Sequence, residues 1–213
     1  VRPLVGEVRA RINDLLRRAV DVVRGRFSGP VSYASVLPLE GVDWAPFDVI
    51  ATHAAYRTSL TAPRFRENIR AFVAQGRAQG KPVAVTVFGC ATFRDAGEVG
   101  GTGDAIIVWG DDGRAARLKG EYVRDAEEQA SYLRELLDVF ATEGVDAAFV
   151  YTFARYDLPH RHDPLLDLDR ASAGVVKVLD GESRARDPRD RRYPDMPWEP
   201  KAAFDALADC FGR

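Results

Sequence analysis

The chain has 213 residues, 46% hydrophobic and 29% charged, with a formal net charge of −2. That suffices for one substantial core and is an ordinary globular composition, and near-neutral charge gives no reason to expect nucleic acid or an anionic membrane as partner. No apolar run approaches the ~20 residues of a membrane span, the start lacks the apolar stretch of a secretory signal, and two cysteines, Cys90 and Cys210, make no disulfide framework, so a cytoplasmic protein is expected.

Apolar groups at Leu4, Val8, Ile12, Leu15, Leu16, Ala19, Val22 and Val23 predict a leading helix within residues 1–27. Ser28-Gly29-Pro30 ends it, and Val31–Val36 reads as a short strand. Phe47–Thr52 is the next strand, and Pro63 opens a helix through Phe65, Ile69, Phe72 and Val73. Val83–Phe88 is a buried strand that stops at Gly89. An insertion over 96–120 follows: a Gly-rich hinge, then a hairpin of Ala105–Trp109 and Ala115–Leu118 across Gly110-Asp111-Asp112-Gly113. Tyr122–Glu143 carries the strongest helical periodicity, stopped by Gly144. Ala147–Phe153 is a fourth core strand and Gly174–Leu179 a further apolar run. The Arg/Asp-rich residues 180–192 read as mobile, and Pro200 opens a last helix, Lys201–Phe211.

Strands alternating with helices predict an α/β fold with a parallel sheet and crossover connections. Four such strands cannot close a barrel, whereas eight can. The chain is thus expected to form a single half-barrel domain over residues 1–213.

The segments PVSYASV, FDVIATHAAYR, KPVAVTVFGCATFR, GEYVRDAEEQASYLRELLDVFATEGVDAAFVYTFARYDLPHRHDP and YPDMPWEPKAAFDALADCF resemble the second half of a bacterial glycosidase-like (β/α)8 barrel family, whose members carry hydrolase or abortive-infection labels. The resemblance implies half of a TIM-type barrel from about Pro30 to Phe211, completed by a second polypeptide that supplies the N-terminal half. In the family's seventh strand, T-E-F-G-C holds a glutamate nucleophile; here Val87 stands in its place. The acid/base carboxylate expected after strand four would belong to the other half. Fold is transferred on this resemblance and activity is not.

Barrel chemistry sits at the C-terminal ends of strands. Arg57, Arg94 and Arg155 each follow a different strand and suit binding of carboxylate, sulfate or phosphate; solvated loop arginines are the plain alternative. Tyr56, Ser35 and His160 complete the substrate-binding candidates. His53 is the candidate general base, in a position where the resembling family tends to carry an acid. Cys90 is a candidate nucleophile and Asp157 an orienting group. His160-Arg161-His162-Asp163 lacks a third metal ligand and reads as a polar lid, so no metal or cofactor is expected. The expected function is a subunit of a heteromeric enzyme acting on a small anionic metabolite. It would catalyse elimination or ring closure with an anionic leaving group, for example aziridine formation by sulfate loss in specialised-metabolite biosynthesis. A non-catalytic partner-binding subunit, or a glycoside hydrolase whose carboxylates come from the partner, stay open.

Overall fold

A computed structural model describes residues 2–36, 40–53, 55–186 and 191–212. The chain runs α1 (Arg2–Arg24), β1 (Ser32–Ser35), β2 (Val49–Thr52), α2 (Phe65–Ala78), β3 (Val83–Phe88), α3 (Ala96–Val99), β4 (Ile107–Trp109), β5 (Ala115–Leu118), α4 (Ala126–Glu143), β6 (Ala147–Val150), β7 (Val176–Val178), α5 (Gly181–Arg186), β8 (Trp198–Pro200) and α6 (Ala202–Phe211). Strands β1, β2, β3 and β6 form one parallel sheet in that order.

Strand alternation sorts this sheet into two faces. Ile50, Val83, Val85 and Phe88 belong to the buried core, with Tyr33, Ala148 and Val150 packed against it. Helices α2 and α4 cover that face through Phe65, Ile69, Val73, Leu133, Leu136 and Phe140. The Phe140 ring meets Phe88 edge-on at 5.2 Å. Ala34, Ala51, Ala84 and Ala147 are register partners on the opposite face, which also carries Thr86 and the exposed Phe149 and Tyr151. Among the described residues, β1 and β6 each have a single neighbour in this sheet and are its edges.

Local chemistry sets the boundaries. The Asp125 carboxylate accepts from the Glu128 N–H at 2.9 Å, so α4 begins at Ala126 and not at Tyr122. Gly144, at φ 86°, ends it by donating to the Phe140 carbonyl. Strand β6 stops at Val150 because Thr152, beyond the cis peptide Tyr151–Thr152, pairs instead with Ala173 and Val175. The apolar run at Gly174–Leu179 contributes β7, which pairs antiparallel with β8 and stays out of the parallel sheet. Lys201 precedes α6, and Pro200 closes β8 instead of opening the helix. Within the stretch read as mobile, Gly181–Arg186 is helical; residues 187–190 lie outside the described residues. Strands β4 and β5 form an antiparallel hairpin across Gly110–Gly113, with Gly113 at φ 74°. The expected hinge is instead the short α3 and a 3-10 turn over Gly100–Ile106.

Candidate active site at the strand ends

Strand β3 leaves the sheet at Gly89, whose φ of 144° brings the chain against the Tyr151 carbonyl; a Cβ there would sit 2.8 Å from that oxygen. This close passage opens a cleft of about 90 Å3 lined by Tyr56, Gly89, Ala91, Gly100, Gly101, Gly103, Asp104, Tyr151, Arg155, Ala171 and Ala173. The glycines of the inserted loop form one wall. A Cβ on Gly101 would lie 2.3 Å from the Tyr56 ring, and one on Gly103 2.4 Å from the Ala91 methyl. Any side chain at either position would close the cleft or push its wall away.

Arg155 gives Nε and Nη2 to the two Asp157 oxygens at 2.8 and 2.6 Å. This pair raises the arginine pKa and lowers that of the aspartate, and it engages two of the guanidinium's five N–H donors. The Tyr56 phenol is pushed up by burial and by the nearby Tyr151 and Asp104. Asp104 lies near enough for its charge to act on Arg155 as well. Both Asp104 and Tyr151 escaped the sequence reading, the first inside a glycine run and the second inside an apolar strand.

The remaining candidates scatter. Arg57 turns onto α4, where Nε meets Glu135 at 3.1 Å while its backbone N–H and C=O both bond the Tyr132 hydroxyl. Arg94 is exposed, 3.9 Å from Asp125. The three arginines therefore do not converge: only Arg155 lines the cleft. Ser35 donates to Glu40 at 3.0 Å. His53 stands on the open sheet face with Nδ1 3.3 Å from the Thr86 hydroxyl. That hydroxyl donates to the Thr52 carbonyl at 3.0 Å, which suits it to accept from the tautomer of His53 that carries its proton on Nδ1.

Cys90 is wholly buried, and burial pushes its thiol up to about 12. It is a packed residue and no nucleophile at neutral pH, because the thiolate is the reactive form. His160 bonds Asp167 at 2.8 Å within a buried network behind the cleft. There Arg124 bridges Asp167 and Asp169, and Lys201 reaches Asp169 at 3.1 Å and Thr92 at 2.7 Å. Burial lowers the Lys201 pKa. Gln129 ties the Cys90 and Gly174 carbonyls together from α4. His160 thus braces the rim and does not reach into it. Among the described residues no three His, Cys, Asp or Glu side chains are grouped to hold a metal.

A larger groove of about 470 Å3 lies between α2 and strands β1 and β2, with Trp44, Phe65, Ile69 and Phe72 in its wall. None of the described residues lining it is charged. That groove offers no charged group, whereas Asp104 and Arg155 line the smaller cleft and His53 stands apart from it beside Thr86 on the open sheet face.

No protein-family model matches the sequence, and no curated protein does. Solved structures do. The chain is similar to a GH113 β-1,4-mannanase at 20% identity and a TM-score of 0.51, covering 76% of this chain and 46% of that one. It is also similar to the GH113 β-mannanase from Alicyclobacillus acidocaldarius, solved in complex with ManMIm, at 16% identity and a TM-score of 0.56, covering 93% and 50%. The chain spans about half the length of these glycosidase-like barrels. At such identities the likeness is one of fold. No helix among the described residues is long and apolar enough to cross a membrane.

Proposed function

We propose that this chain is the C-terminal half of a split (β/α)8 barrel, one subunit of a heteromeric enzyme acting on a small anionic metabolite. A second polypeptide supplies the other four strands, and no cofactor takes part. The observation that carries this reading is the half-length match to closed barrels by a sheet with two free edges. Phe149 and Tyr151 lie bare on its open face, 58% and 46% exposed, where a closed barrel packs side chains.

The chemistry departs from sugar hydrolysis. Val87, 5% exposed at the end of β3, can neither attack an anomeric carbon nor carry a proton, so double displacement has no nucleophile on this chain. Arg155 holds the anion. His53 takes a proton from the substrate through Nε2 as the bond to an anionic leaving group, sulfate or phosphate, breaks with its electron pair on the departing oxygen. The electrons freed at the deprotonated atom form the new double bond, or the ring. The likeness to mannanases keeps one second reading in play, hydrolysis with both carboxylates on the partner.

The test is solution mass by light scattering, for the chain alone and co-expressed with the product of its neighbouring gene. The expected result is self-association or aggregation alone and a defined 1:1 complex together. A monodisperse monomer that ignores its neighbour overturns the split-barrel reading.

A further inference from the structure

We propose that the cleft at the strand ends is a two-pronged receptor for a small zwitterion, its oxyanion on Arg155 and its ammonium on the Asp104 carboxylate. The inference rests on Arg155 as the anion anchor and adds the second charge. Asp104 lines the same cleft and acts electrostatically on both Tyr56 and Arg155. No hydrogen bond joins it to the guanidinium, whose Nε–Nη2 edge is held by Asp157. No described residue hydrogen-bonds or ion-pairs with the Asp104 carboxylate, which is exposed at the cleft mouth.

With Arg155 offset by Asp157 and Asp104 left over, the site carries a surplus negative charge. A simple anion on Arg155 is repelled by Asp104, whereas a molecule with a cationic group a few ångströms from its oxyanion satisfies both. Tyr56 and Tyr151 line the same cleft, and its volume of about 90 Å3 limits the occupant to a few heavy atoms. Asp104 sits on the insertion that follows β3, the strand ending near Val87. A carboxylate thus returns to the rim from a loop, placed to bind a cation.

The test compares two probes that differ only in the ammonium: taurine and ethanesulfonate, titrated by calorimetry into the chain in whichever assembly the mass measurement finds monodisperse. Taurine should bind ~3–5-fold tighter than ethanesulfonate, the size of an exposed ion pair. Asp104→Asn, at an exposed and unpaired position, should bring the ratio to about one, and Arg155→Gln should weaken both probes together. Equal binding of the two probes to the parent chain overturns the ammonium site while the anion anchor stands. Failure of both probes to bind, or binding that survives Arg155→Gln, removes the anchor itself and this proposal with it. Neither result touches the split-barrel assembly, which is read by mass.

Discussion

Asp167 shows how a single side chain holds the rim. It is buried among three cationic or potentially cationic neighbours, Arg124, Arg170 and His160, each within 3.0 Å of a carboxylate oxygen. Burial alone would raise its pKa, but the His160 bond and the Arg124 charge outweigh it and hold the carboxyl well below the usual range. The folded value lies below the unfolded one of about 3.9, so the stabilisation is complete above ~pH 4 and is lost as pH falls through the folded value. Asp167→Asn should therefore cost ~3–5 kcal/mol at pH 7, the scale for breaking a buried ion pair. Urea unfolding at pH 7, 5 and 3 should show the gap between parent and variant narrowing toward acid. A gap independent of pH would mean that shape and not charge makes Asp167 matter.

At the scale of elements, α1 carries two apolar stripes. Leu16 packs against the core and Val20 is 7% exposed within it. A second stripe, Val5, Val8, Ile12, Leu15, Ala19 and Val22, steps alternately by three and four residues, the period of helix-on-helix packing. Of these, Leu15 is 66% and Val22 73% exposed. This helix stands before the edge strand β1, so in the proposed split barrel the stripe would face the second subunit. Leu15→Lys with Val22→Lys should leave the far-UV circular dichroism of the chain unchanged, because both side chains stand in solvent, and weaken assembly with the proposed second subunit at least ~10-fold. Undiminished assembly in a pull-down titration would remove α1 from the interface. Period and punctuation made most elements legible. The apolar β3, the periodic α4 and the Gly110–Gly113 turn all read directly from the chain. What spacing does not encode is the partner of a short apolar run: Gly174–Leu179 shows only as apolar, and its antiparallel pairing with β8 does not show at all. Nor does spacing encode which way a strand-end side chain turns. Arg57 and Arg155 stand in similar sequence positions, but one is drawn outward by Glu135 on α4 and the other inward beside Asp157. Asp104 stays hidden because long-range contacts fix its loop: Gly103 against Ala91, and Gly100 against the Arg57 carbonyl.

For the whole molecule, the proposed split barrel must work with a half that brings no carboxylate to the end of β3. Hydrolysis of a β-mannoside by retention needs two carboxyl groups about 5–5.5 Å apart, and inversion needs them ~6.5–9.5 Å apart. The cleft of this chain is lined by one carboxylate, Asp104, and Asp157 beside it is locked onto Arg155 with its pKa lowered. A carboxyl so held is a poor proton donor to a leaving glycosidic oxygen. The purified two-subunit assembly should therefore release no nitrophenol from aryl β-mannosides between pH 5 and 8. Release that disappears when a partner carboxylate is changed to amide would restore the hydrolase reading, with this chain reduced to substrate binding. Continued absence of release leaves the catalytic burden on the groups this half presents: the Nε2 of His53 on the open sheet face, and the guanidinium of Arg155 in the cleft. An imidazole and a guanidinium suit removal of a proton and departure of an anion; they do not suit attack on an acetal.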